Sequence, residues 1–368
     1  MSYLLSNTGR NVSFSRHLFV LIAISLIAAG CWMFRSSAPK AAESEHIDEP
    51  VVPPGLSYTF PTPQTGLGDT NNPDVFMPTE SGKIESAWYG STRTRKFGKQ
   101  FLPAFHEGVD IAPVTRDSKG RAQDPVFAAA DGCIGYINRT GGNSSYGIYV
   151  VLLHHDVLGK YYTLYGHLAS AAADLKEGDA VSHGTEIGRM GNTSTAGIPV
   201  QRSHLHFEMG TVLNNRFSDW FRKEKLKPFH GNMHGYNLAG INPMDLFPYM
   251  TNGQLFVLQQ YITNCPVAFR LIVPVTEKPD YYCRYPSLWT GGESGGVIVM
   301  DVSESGVPLK ARAATEEEAA LLQKNKPRVL EVFPEVLGRN GARLIVDHEG
   351  DWTLGRNAKQ WLGILLYR

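Results

Sequence analysis

The sequence has no excess of charge of either sign: Lys and Arg together number 35 and Asp and Glu together 35, so the formal net charge is zero. Nothing in that balance points to nucleic acid as a partner. Cysteine is scarce, with four in 368 residues and no pair at CxxC spacing, so a structural zinc site built on thiolates is not supported. Cys31 falls in an apolar N-terminal run, and Cys133 stands where a small apolar strand residue would serve. Cys265 and Cys283 remain, either as a disulfide of an oxidising compartment or as two buried thiols.

What is present begins with length: 368 residues with 42% hydrophobic side chains can fill the cores of two ordinary domains. Residues 18–34, LFVLIAISLIAAGCWMF, follow Arg10 and Arg16 and precede Arg35. Such a run is an export signal or a single membrane anchor. Ala28-Ala29-Gly30-Cys31 resembles a lipobox, in which the cysteine is lipidated. Either way residues 1–35 place the remainder in an extracytoplasmic space, tethered to the membrane.

Residues 36–78 are rich in Pro, Ser, Thr and acidic residues, and predict an extended tether without a core of its own. Residues 79–250 show short β-branched and aromatic runs separated by Gly-rich turns, among them IGYINR, GIYVVLLHH, YYTLYGHL, TEIGRMG and HLHFEMG. That pattern predicts a mainly β, antiparallel domain. A basic, aromatic stretch at 211–241 interrupts it, as a solvated excursion or as the wall of a cleft. Residues 254–368 predict a small α+β domain. Its strands are expected in LFVLQQYI, AFRLIVPV, GGVIVMDV, ARLIVDH and WLGILLYR, and Thr315-Glu316-Glu317-Glu318 opens a helix with a capping box.

The chemistry concentrates in three places. Ser203-His204-Leu205-His206-Phe207-Glu208 puts two imidazoles on one face of a strand, where each needs a partner if buried. In Phe105-His106-Glu107-Gly108-Val109-Asp110, His106 and Asp110 are an even number apart and share a face on an extended chain. Gly108 and the β-branched residues argue against a zinc-binding HExxH helix there, so Glu107 points away from the pair. If His106, Asp110 and one histidine of the later pair converge, two imidazoles and one carboxylate leave a fourth position for water. That is the composition of a catalytic zinc site. His167, in Thr163-Leu164-Tyr165-Gly166-His167-Leu168, follows a Tyr-rich strand and can project into the same cleft.

These motifs, with VFAAADGCIGYI, LKEGDAVSHGTEIGRMGNT and their order, resemble the lysostaphin/LytM-type zinc metalloendopeptidases of bacterial cell walls over about residues 88–246. The resemblance implies a lysostaphin-like antiparallel domain (the duplicated hybrid motif). It implies Zn2+ held by His106, Asp110 and His206, with His167 and His204 as catalytic histidines. It also implies peptidoglycan peptides as substrate, with room for a protein regulator. Ser194 replaces a usual glycine and Arg202-Ser203 a usual Gly-Pro, which bears on substrate choice. The alternative is a non-catalytic relative that binds wall or activates an amidase. An amidohydrolase barrel opening on HxH would need roughly 200 residues of alternating strands and helices, and these are not present.

Overall fold

The computed structural model describes residues 52–97, 100–227, 229–292, 294–322 and 324–368. The chain divides into two units, residues 1–46 and residues 47–368. The first unit, and with it the N-terminal apolar run and Cys31, lies outside the described residues. Among the described residues no helix is long and apolar enough to cross a membrane.

The centre of the second unit is an antiparallel sheet in the order Leu238–Ile241, Leu205–Val212, Gly159–Leu168, Ile148–Asp156, Gly132–Asn138, Ala180–Val181, with Val109–Ile111 also paired to Leu205–Val212. The strands fall where alternation of apolar and polar residues predicts them, and the mainly β, antiparallel expectation holds. Leu205–Val212 departs from alternation in being buried along its whole length, as do its partners Val109–Ile111 and Leu238–Ile241. One face carries Leu205, Phe207 and Met209 into the main core. The other carries His206 and Glu208, followed by a small second core of Tyr149, Val151, Tyr162, Leu164, Val212 and Leu238.

That second core is covered by the 211–241 excursion, which is packed rather than solvated. Its helix Phe217–Lys223 buries Phe217, Trp220 and Phe221. His230 is buried too, with Nδ1 3.0 Å from the Tyr136 hydroxyl and Nε2 3.1 Å from the Asn143 carbonyl. Met233 accepts a hydrogen bond from Tyr149 through its carbonyl. Leu226, Phe229 and Tyr236 are the excursion's exposed large apolar side chains among the described residues.

The expected tether over 36–78 does not hold for its described part. Leu56 pairs with Phe256, and Phe76 with Ile111. Tyr58, Leu67, Val75 and Phe76 are core residues. Prolines restrict the chain to an extended shape, which suits lying along a sheet as well as hanging free; the apolar residues spaced between them decide for the sheet. The Met77 amide donates to the Asp110 carbonyl and the Ala112 amide to the Val75 carbonyl, so this segment braces the strand that bears Asp110.

Residues 254–368 supply a second sheet, ordered Trp289–Thr290, Pro308–Ala313, Ser294–Val302, Phe269–Glu277, Arg328–Val332, with short helices. Two expected strands are helices instead. Leu258–Asn264 buries Leu258 and Ile262, four apart, and Arg356–Leu365 buries Ala358, Trp361, Leu362 and Leu365 at helical spacing. Short apolar runs read alike in both states until their polar gaps are counted. The capping box at Thr315 and Glu318 is present as expected. Cys265 and Cys283 form no disulfide.

This region is not a separate body. Its side chains join the same core as the central sheet. The Tyr285 hydroxyl bonds the Lys160 carbonyl, and the Asn214 amide donates to the carbonyls of Ile364 and Tyr367. Tyr281 and Tyr285 are fully buried. A chain ending at residue 253 would delete these aromatics and strip Tyr58 and Tyr249 of Phe256, and Trp220 of its neighbour Gly363, each a loss of up to about 2 kcal/mol. It is expected to be recovered as a dye-binding, aggregating species, whereas the full chain gives a sharp thermal transition.

A second expectation concerns His154, buried with Nδ1 donating to the Asp131 carbonyl at 2.7 Å and Nε2 2.8 Å from Thr163 Oγ1. Burial pulls it down to about 4, against 6.5 when unfolded. Between those values the unfolded chain binds more protons, so this contribution is complete above pH 6.5 and is lost as pH falls toward 4. At roughly 1.4 kcal/mol per pH unit the loss is about 3 kcal/mol. His154→Gln should flatten the acid side of a melting-temperature profile by that amount.

Candidate metal centre

Three neighbouring strands build the site. In the antiparallel register Asp110 stands opposite His206 on one side, and Gly166 stands opposite it on the other. Directly opposed residues project to the same face. Asp110 and His206 therefore meet by register, not by chance of rotamer.

His106 arrives differently from the even-spacing argument. The chain does not run as one strand from His106 to Asp110; it ends a strand at Phe105, turns through Gly108 and resumes at Val109. Gly108 lies so close to Leu205–Val212 that a Cβ there would stand 2.5 Å from the Phe207 carbonyl and 3.0 Å from His206 Cε1. The corner brings His106 Nε2 to 3.1 Å from Asp110 Oδ1 and 3.2 Å from His206 Nδ1, while His206 Nδ1 is 2.9 Å from the same Oδ1. His106, Asp110 and His206 are all buried.

The far side of each ring assigns its proton. His106 Nδ1 is 2.9 Å from the Trp88 carbonyl, and a carbonyl only accepts, so Nδ1 carries the hydrogen and Nε2 offers a lone pair. His206 Nε2 is 2.7 Å from Glu208 Oε1, which leaves the lone pair on Nδ1. With both rings neutral, three acceptor atoms face one another at 2.9–3.2 Å, an arrangement that calls for a shared positive charge, from a proton on His206 or from a cation. Four ligands at about 2.05 Å in a tetrahedron stand about 3.3 Å apart. The two nitrogens and one carboxylate oxygen therefore fit a divalent cation in composition, direction and spacing.

Electrostatics around the three atoms is uneven. Burial would raise the Asp110 carboxyl, but His106, His204 and Arg93 outweigh it and hold it well below its ordinary value. Burial pulls His106 down to about 4. His206 is also disfavoured by burial, yet Asp110 and Glu208 raise it to about 9.

His204 and His167 border the cluster. His204 precedes the strand, held by a bridge to Gly191, with Nδ1 2.6 Å from the Arg202 carbonyl and Nε2 3.5 Å from Asp110 Oδ1. The shared face of the two histidines in SHLHFE is present as expected. His167 follows Gly166 and in a regular strand would face away from His206. Its φ of +59 and a register shift between the strands re-aim it. Its ring centroid lies 4.8 Å from that of His204 and 5.6 Å from that of His206. His167 Nδ1 donates to the Thr193 carbonyl at 2.9 Å, and burial with the two neighbouring imidazoles holds it well below the ordinary histidine value.

The rims are tied to each other. Thr193 lies on Gly147, whose φ is +65 and where a Cβ would stand 2.0 Å from the Thr193 carbonyl. Ser194, one of the departures from the family pattern, donates to the Ser145 carbonyl and links the two loops. His230 and His234 take no part in the cluster, and His183 pairs with Asp131 at the surface.

Two contributors were not singled out from sequence. Arg93 donates to Asp110 Oδ2 at 2.5 Å and to the Ser86 carbonyl, holding the second carboxylate oxygen away from the cluster. Nothing local marks it, because a folded hairpin delivers it across the site. Glu208 was legible: it lies two residues beyond His206, on the same face.

No curated protein matches the chain. Among solved structures, it is similar to the catalytic domain of the antimicrobial peptidase lysostaphin from Staphylococcus simulans at 22% identity, covering 44% of this chain and 89% of that one, with a TM-score of 0.27. It is also similar to Csd3 of Helicobacter pylori at 24% identity, covering 43% of this chain and 32% of that one, with a TM-score of 0.26, so it spans about a third of that protein's length. The sequence model of peptidase family M23 matches residues 104–219, a span holding His106, Asp110, His167, His204, His206 and Glu208. That segment, under a third of the chain, is similar to peptidase family M23.

Proposed function

We propose that the protein is a zinc-dependent metalloendopeptidase that hydrolyses peptide cross-links of bacterial peptidoglycan, working in an extracytoplasmic space. The observation that carries the reading is the convergence of His106 Nε2, Asp110 Oδ1 and His206 Nδ1 to within 2.9–3.2 Å of one another. These three residues would hold Zn2+. When bound there, zinc supplies Lewis acidity that polarises a scissile carbonyl and brings water to a pKa of about 7.

The chain's own side chains supply the proton handling. His204 and His167 both spend their Nδ1 hydrogens on main-chain carbonyls, so each neutral ring presents an Nε2 lone pair toward the cleft. A ring in that state accepts a proton from attacking water. Once protonated it can donate to the departing amine or to the developing oxyanion. The two rings lie within 5 Å of each other, so both can reach one reacting carbonyl. The left-handed backbone at His167 adds support, since such conformations cost about 1 kcal/mol or more in a side-chain-bearing residue and persist where geometry serves a site.

The purified chain is expected to carry about one zinc by elemental analysis and to release new peptide ends from wall sacculi, read by mass spectrometry. His206→Ala should lose metal and activity together; His204→Ala should keep the metal and lose activity by about 100-fold or more. Stoichiometric zinc with no new peptide ends, and no difference on His204→Ala, would leave the non-catalytic wall-binding reading in its place.

His167 gives an independent check on strain. At an ordinary strand position glycine is less stable than alanine, but at a φ of +59 the order should reverse. His167→Gly is expected to melt above His167→Ala, a difference of about 1 kcal/mol, with both inactive.

A further inference from the structure

Glu208 is among the most deeply enclosed charged side chains of the protein, with no exposed surface. Taking a carboxylate out of water costs several kcal/mol unless a positive charge answers it. Here the partners are the His206 Nε2 hydrogen at 2.7 Å and the hydroxyls of Tyr162, at 3.1 Å, and Tyr146. Among the described residues its only ion-pair partner is His206, and Arg93 is occupied by Asp110 on the other side of the cluster. The two hydroxyls bring dipoles and no charge, a poor return for a buried carboxylate. The arrangement makes sense if positive charge reaches Glu208 through the imidazole.

We propose that Glu208 is a positioning residue that holds His206 in the tautomer with Nδ1 toward Asp110 and strengthens that nitrogen as a donor to a dication, an inference that rests on the zinc reading above. Glu208 does not itself face the cluster: Oε1 approaches the opposite edge of the ring from Asp110. A carboxylate behind an imidazole draws its N–H and enriches the far nitrogen, which a carbonyl or amide does less. Asp110 Oδ1, 2.9 Å from Nδ1, would draw the hydrogen to that nitrogen, and Glu208 at 2.7 Å from Nε2 is the acceptor that opposes it.

The pair also has a second anchor. Tyr146 lies with its ring centroid 5.6 Å from that of His206, and its carbonyl accepts the His167 amide at 2.7 Å. The His206–Glu208 pair and the strained His167 are thus fixed by neighbouring parts of one loop.

The test is zinc affinity of the full chain, measured by competition with a chromophoric chelator, together with the melting temperature of the metal-free protein. Glu208→Gln keeps the shape and an acceptor for the Nε2 hydrogen but removes the charge. It is expected to weaken zinc binding by about 10- to 100-fold while the metal-free melting temperature stays level or rises. Unchanged affinity with a lowered melting temperature would assign Glu208 to the fold alone and overturn the inference. Absence of zinc binding in the unsubstituted chain would overturn the metal reading as well, so the two failures are distinct. Should Glu208→Gln not fold, Tyr162→Phe carries a complementary test: it removes a competing donor from Oε2 without touching His206, so the carboxylate draws harder on the Nε2 hydrogen and zinc affinity should rise, whereas a fall or no change overturns the proposal.

Discussion

The rest of the structure depends on one electrostatic demand: two imidazole nitrogens and a carboxylate oxygen, all acceptors, are held within about 3 Å of one another where water does not reach. Left alone, such a cluster repels itself or takes up a proton. Each surrounding contact keeps it from relaxing. The Trp88 carbonyl pins the back of His106, Arg93 pins the outer oxygen of Asp110, and Glu208 pins the back of His206. Removing any one would let its ring or carboxylate rotate to a less crowded position. A single buried histidine needs no cation to explain it, whereas three pinned groups turned toward one point do.

Holding three such groups requires a stiff frame, and the frame extends well beyond the family segment. The strand bearing Asp110 is three residues long, too short to be stable alone. It is braced on one edge by Leu205–Val212 and on the other by the Val75–Met77 stretch of what composition predicted to be a tether. Leu205–Val212 is in turn covered by Tyr281 and Tyr285 from the C-terminal region. The 211–241 excursion closes over the second core next to Glu208. Residues outside 104–219 therefore fix the position of the groups inside it.

Much of this could be seen in the sequence because strand parity is a strong constraint. The two histidines of SHLHFE share a face as alternation requires, and Glu208 shares it too. Where parity failed, the cause is a local break: Gly108 turns the chain between His106 and Asp110, and a left-handed residue turns His167 across its strand. Both break points bring their residues to the site by bending, which no periodicity encodes. The misassigned helices at 258–264 and 356–365 fail for another reason, since eight apolar-rich residues fit either state until their partners are known. Arg93 was invisible because its partner is 17 residues away across a hairpin.

Parity alone makes His204 and His206 equivalent; what stands behind each ring does not. Behind His204 is the Arg202 carbonyl, a neutral dipole that fixes the tautomer and adds no charge. Behind His206 is a buried carboxylate. A ring backed by a carbonyl has its hydrogen fixed on Nδ1, which leaves Nε2 as the position for proton transfer in the proposed reaction. A ring backed by a carboxylate is the stronger electron donor through its far nitrogen, which suits a resident dication. In the proposed reading, the acceptor each ring meets on its far side is what distinguishes the two histidines of one strand face. The chain sets that acceptor with a single residue, since Glu208 lies on the same strand and the same face as the ring it supports.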